Sequence, residues 1–117
     1  MVKGTLKVRA KRKKETKPRE QGEAEFRKDV YKFLKYDKRI KYYKRIENSI
    51  TRKAGNDIPD FLFFTFYNMY WLEIKFGKND LSKGQVVFKA HCTRTRIKHI
   101  TAWTIANIEK GIRRVEG

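Results

Sequence analysis

The sequence predicts a mixed α/β (α+β) fold: a central mixed sheet flanked by helices, with elements in the order α-β-β-β-α-β-α. Three observations point there. The most apolar stretch, NDIPDFLFFTFYNMYWLEIKFG at 56–77, is dense in the aromatic residues that favour strands and is broken near Asn68 and Met69, the pattern of a β-hairpin. Its first arm is apolar on both faces, so the sheet needs cover on both sides, by helices or by another subunit. Segments of helical periodicity precede and follow it. A chain of 117 residues holds one domain with a real core.

Residues 1–20 carry nine basic and two acidic residues and almost nothing to bury, so they read as a flexible basic arm, with the folded domain over 21–117. From Gln21 to Tyr36 the apolar residues Phe26, Val30, Phe33 and Leu34 share a helical face. At about 100° per residue Glu23 lies beside that stripe and Glu25 on the far side, so only Glu23 can look inward. RIKYYKRIENSI at 39–50 suggests a strand, and TRKAGNDIPD is a turn-rich entry to the hairpin. The hairpin arms are DFLFFTFY and YWLEIKF. Beyond them, LSKGQVVFKAHC starts a helix with Ser82 and Gln85 spaced as a capping box. RIKHITAWTI reads as another strand, and Ile105, Ile108, Ile112 and Val115 mark a closing helix.

The charge balance sets the partner. Thirty Lys and Arg against thirteen Asp and Glu give a formal charge of +17, a field that attracts polyanions. Nucleic acid is the commonest of these inside a cell, with an anionic membrane surface or a ribosome-like assembly as the other acidic partners. Cys92 is alone and forms no internal disulfide, and no stretch is apolar and uncharged enough for a signal or transmembrane segment. These features read as a soluble, cytoplasmic protein with no membrane association.

Three charged residues stand inside the apolar hairpin: Asp60, Glu73 and Lys75. Strand alternation puts Glu73 and Lys75 on one face and Ile74 on the other. A four-residue loop at 66–69 would pair Thr65 with Tyr70, setting Asp60 opposite Lys75 with Glu73 as its diagonal neighbour. A two-residue loop would oppose Asp60 to Gly77 and keep the same face, whereas a register of the other parity would send Asp60 to the opposite side. Two carboxylates converging in an apolar sheet call for a hard cation between them, and oxygen ligands suit Mg²⁺, with Mn²⁺ able to substitute. The Ile74 carbonyl is placed to add a ligand. Such an ion activates water and binds phosphate oxygens, while the Lys75 ammonium stabilises negative charge at phosphorus or orients the water. No small-molecule cofactor is called for.

IPD at 58–60, twelve intervening residues and EIK at 73–75 resemble the PD-(D/E)XK nuclease signature. The continuation KNDLSKGQVVF is similar to the VRR-NUC branch, where a strand ending E-V-K leads to a turn, L-S, a glutamine and an aromatic. The resemblance covers roughly residues 21–105 and departs at Phe76, where that branch commonly continues K-G; here Gly77 comes one residue later. It implies a restriction-endonuclease-like core and a metal-dependent endonuclease. Asp60 and Glu73 would be the metal ligands, Lys75 the catalytic lysine, Gln85 an auxiliary catalytic residue and Glu23 an outer metal contact. Stand-alone members of the branch are similar to Holliday junction resolvases, homodimers acting on branched DNA.

The remaining residues divide between binding and packing. Lys11, Arg12, Lys13 and Lys14 of the arm, with Lys83, Lys89, Arg94, Arg96 and Lys98, are placed to track phosphates. Gln85 has two roles open to it, in the site and in the capping box. His91, Cys92 and His99 lack zinc-site spacing, and Trp71 reads as packing. Two further functions stay open: a non-catalytic basic nucleic-acid-binding protein, and a nuclease of the same chemistry acting on RNA or DNA ends.

Overall fold

A computed structural model describes residues 19–46 and 58–117, with side chains from residue 22 onward. The elements are α1 (Arg19–Tyr36), β1 (Tyr42–Arg45), β2 (Phe61–Phe64), β3 (Met69–Ile74), α2 (Lys83–Thr95), β4 (Lys98–Ala102) and α3 (Ile105–Glu116), in the expected order. The four strands form one sheet, β1-β2-β3-β4. The first three run antiparallel and β4 pairs parallel to β3. A parallel neighbour requires a crossover, which α2 supplies. No helix among the described residues is long and apolar enough to cross a membrane.

Strand alternation gives the sheet two unlike faces. One presents Phe61, Phe63, Tyr70, Leu72, Ile100 and Ala102, which pack with Val30 and Leu34 of α1 and Ile108 and Ile112 of α3 into the buried core. Phe26 and Phe33 border this core, so the stripe expected on α1 is the one that packs. On α3 the stripe ends at Ile112, and Val115 is exposed. Gly111 lets α3 lie close on β4: a Cβ there would fall 2.7 Å from Ile100 Cδ1. The opposite face receives α2, whose Phe88 meets Trp71 edge-on with centroids 5.6 Å apart.

β1 is shorter than 39–50. Asp37 Oδ1 accepts from the Arg39 amide at 2.9 Å, closing a turn after α1, and pairing begins only where the Lys41 amide donates to the Phe64 carbonyl. Residues 47–50 of the expected strand, 51–57 of the expected turn and 1–18 of the expected arm over 1–20 lie outside the described residues, while Arg19 and Glu20, assigned to that arm, open α1. Arg39 also donates to Asp37 Oδ2 and to Glu109 of α3, both at 2.8 Å, tying the turn to the closing helix. The hydrogen bond from Arg39 holds the Asp37 carboxyl below its usual range.

Candidate active site

The hairpin register decides which charged residues meet. Phe64 pairs with Met69 and Phe61 with Leu72, so Asp60, one residue before β2, stands level with Glu73. This corrects both registers considered from sequence, which placed Asp60 opposite Lys75 or Gly77, and keeps their common conclusion that Asp60 and Glu73 share a face. The tip of the turn is Phe66 and Tyr67, since the Thr65 amide donates to the Asn68 carbonyl at 2.8 Å. The reason is tertiary. Glu116, at the end of α3, accepts from Thr65 Oγ1 at 2.6 Å, Asn68 Nδ2 at 3.0 Å and Tyr70 Oη at 2.5 Å. Asn68, the expected corner, is held in place below the tip.

Asp60 follows the buried Pro59. Proline cannot donate to a ladder, so regular pairing of β2 starts after it. The Ile46 amide donates to the Asp60 carbonyl at 2.8 Å, which keeps the backbone in the sheet. Asp60 Oδ2 accepts from the Ile74 amide at 2.9 Å, so the carboxylate leans across onto β3 beside Glu73. Directly opposed residues have Cβ atoms about 4.5–5.5 Å apart, a span two carboxylates can share around one cation.

Glu73 is only 3% exposed. Its Oε2 accepts from Gln85 Nε2 at 3.2 Å. Gln85 is fixed from behind by the capping box of α2: its Oε1 accepts from the Ser82 amide at 2.9 Å, while its own amide donates to Ser82 Oγ at 3.2 Å. Gln85 therefore closes the capping box and contacts Glu73 at once. With Oε1 engaged by the helix cap, Nε2 is the end left to face Glu73.

The parallel pairing brings Thr101 of β4 level with Glu73. Asp60, Glu73 and Thr101 thus form a row across three strands. Lys89, one helical turn beyond Gln85, donates from Nζ to Thr101 Oγ1 at 3.2 Å. It turns toward the sheet. Lys75 stays in the ladder, its amide donating to the Ala102 carbonyl at 2.9 Å, and alternation puts its half-buried side chain on the Glu73 face.

Glu23 is half-buried and Glu25 exposed, in line with the helical wheel. The adjacent Gly22 accommodates the Phe76 ring, since a Cβ there would fall 2.5 Å from Phe76 Cζ. Phe76 therefore docks the first turn of α1 beside the end of β3, and the turn is made at Gly77, whose φ of +64° favours glycine. This is the physical content of the departure from K-G. Among the described residues no three His, Cys, Asp or Glu side chains gather as a metal-holding group, so Glu23 does not join Asp60 and Glu73 as a third member.

The candidate phosphate contacts are dispersed. Lys83 and Arg94 are exposed on α2, Arg94 Nη2 lies 2.8 Å from His91 Nδ1, and Arg96 is the exposed cap residue of α2. Lys98 is half-buried on β4, and Lys11, Arg12, Lys13 and Lys14 lie outside the described residues. His99, level with Trp71 and tilted against Phe88, is pushed down to about 4 by burial and then by Lys89, so it is neutral at pH 7. Cys92 is buried, which raises its thiol.

Sequence reasoning did not find the inward turn of Lys89 or the place of Thr101. The four-residue spacing of Gln85 and Lys89 was a usable signal, because such residues share a helical face. Thr101 had none, since a parallel register cannot be read from the strand itself. Compared with protein-family models, curated proteins and solved structures, the chain matches none. The residues and their geometry carry the functional reading by themselves.

Proposed function

We propose that the protein is a divalent-metal-dependent endonuclease that hydrolyses DNA phosphodiester bonds, built on a small restriction-endonuclease-like core of the PD-(D/E)XK type. The observation that carries this reading is the register that sets Asp60 level with Glu73 on one sheet face, with Lys75 two residues further on that face. The donor chemistry fits a hard cation: two carboxylates, with the Ile74 carbonyl beside them, offer only oxygen, and Mg²⁺ commonly completes its shell with water. When bound, the cation supplies charge neutralisation at a phosphate oxygen and a more acidic coordinated water. Asp60 and Glu73 hold it, and Mn²⁺ serves in its place. The amide of Ile74 steadies Asp60, and Gln85 steadies Glu73. Lys75 stabilises negative charge developing at phosphorus or orients the attacking water. Glu23, which does not gather with Asp60 and Glu73, would reach the ion only through an intervening water. Branched DNA, Holliday junctions among it, is the substrate this reading favours, with a homodimer setting the spacing of two sites.

Purified protein with Mg²⁺ is expected to cut at least one of labelled duplex, single-stranded, four-way-junction or RNA substrates. Asp60→Asn and Glu73→Gln are expected to abolish cutting by at least a hundredfold and leave binding within about threefold, the pattern of lost transition-state stabilisation. Mutants that cut as well as the wild type would remove the site. A second reading, a non-catalytic nucleic-acid-binding protein, is favoured by the lack of a three-residue metal group among the described residues together with the +17 charge. Calorimetry with Mn²⁺ separates the two, because the binding module takes up no metal at Glu73.

A further inference from the structure

The other end of the hairpin carries a feature for which the nuclease reading has no use. At the tip, Phe66 and Tyr67 are each 78% exposed, edge to face with centroids 5.6 Å apart. Large aromatic rings are normally a main source of buried area, so two adjacent rings held in water stand out. The turn that presents them is anchored by the three hydrogen bonds to Glu116 and by the Tyr67 and Asn68 amides donating to Thr65 Oγ1 at 3.1 and 3.0 Å. Beside the rings lies an open cavity of about 350 Å³, lined by Lys38, Arg39, Lys41 and Thr65 together with the two rings.

The charges around this cavity are unequal. Arg39 is committed to Asp37 and Glu109. Glu116, which also borders the cavity, is committed to its three donors, and their hydrogen bonds outweigh the upward push of burial to hold its carboxyl below the usual range. Lys38 and Lys41 are both exposed, with Lys41 Nζ bonded to the Lys38 carbonyl at 3.0 Å. Two exposed aromatic rings beside two exposed lysines match a single-stranded nucleic acid, which alternates flat bases with phosphates. A second copy of this chain would match the rings but bring another +17 against the lysines.

We propose that the Phe66–Tyr67 tip is a stacking platform for an unpaired nucleobase, with Lys38 and Lys41 holding the flanking phosphates. The platform does not depend on the nuclease reading; only its distance from the cut does. Six residues separate Asp60 from Phe66, about 20 Å of extended chain.

The test uses the full chain in EDTA, where no cutting can occur, with a single-stranded oligonucleotide containing 2-aminopurine and a duplex of the same sequence. Phe66→Leu with Tyr67→Leu is expected to weaken single-strand binding about tenfold, abolish the stacking-dependent fluorescence change and alter duplex binding less than twofold. Lys38→Gln with Lys41→Gln is expected to lower the salt slope by about one to two. Photocrosslinking of 5-bromouracil oligonucleotides to the wild type is expected to label the peptide holding residues 66 and 67, and needs no variant to fold. Equal loss of single-strand and duplex binding, unchanged single-strand binding, or crosslinks only elsewhere would overturn the platform. So would a change confined to sedimentation, from dimer to monomer, which would make the tip a contact between copies.

Discussion

The two faces of the sheet share the same strands and hold opposite chemistry. Toward α1 and α3, Phe61, Leu72, Tyr70 and Ile100 are buried in an apolar core. Toward α2, the neighbouring positions Asp60, Glu73, Thr101 and His99 are polar, and α2 answers with Gln85 and Lys89. A 3% exposed glutamate does nothing for stability that a leucine would not do better. The difference teaches that one face makes the fold and the other spends part of that stability on holding charge in a fixed place.

The largest expected effect breaks the comparison cleanly. Phe61→Ala empties a fully buried position and is expected to cost about 3–5 kcal/mol. Glu73→Gln keeps the volume and a hydrogen-bonding partner for Gln85 while removing a buried charge, so its stability is expected to stay within about 1 kcal/mol of the wild type or to rise. Urea unfolding of both proteins measures the contrast. A Glu73→Gln loss as large as that of Phe61→Ala would make Glu73 a structural residue, whatever happened to cutting.

A smaller effect comes from His99 on the same polar face. Its folded value near 4 lies below the ordinary 6.5, so between those values the unfolded chain binds more protons and stability falls as pH falls. The loss begins near pH 6.5 and is complete near pH 4, with a size of at most about 3 kcal/mol, reduced by solvent screening because the ring is only partly buried. His99→Gln is expected to flatten that leg. Denaturant midpoints at pH 7, 5.5 and 4.5 for both proteins check it, and parallel curves would show that His99 does not report burial of this face.

Most of the fold was legible because periodicity records burial. The α1 stripe, the capping box at Ser82 and the hairpin arms all follow from local pattern. What escaped was set by distant partners. Nothing near Thr65 in the chain announces that Glu116 will fix the turn, yet that contact moves the tip to Phe66 and Tyr67 and slides Asp60 into line with Glu73. The shared face survived because the structure's register has the parity of the two loops that bring Asp60 to the Glu73 side, and not the other parity, which would have sent it away. The basic residues were legible as a charge and not as a surface, since Lys89 turns inward to Thr101 while Lys83 stays outside.

The smallest expected effect concerns how the polar face keeps its cover. α2 ends with Arg96 at a φ of 63°, a left-handed position usually taken by glycine, with the Ile97 amide donating to the Cys92 carbonyl at 2.8 Å and the Arg96 amide to Thr93 at 3.2 Å. A side chain in that region costs roughly 1–2 kcal/mol, and glycine adds about 0.4–1 kcal/mol of unfolded-chain entropy. Arg96→Gly is therefore expected to gain about 0.5–1 kcal/mol, read as a higher urea midpoint at unchanged slope. If the arginine is kept there for phosphate, the same variant binds DNA more weakly and its salt slope drops by about one. A gain in stability with an unchanged salt slope would take Arg96 out of the nucleic-acid surface and leave the strain at the end of α2 without a functional return.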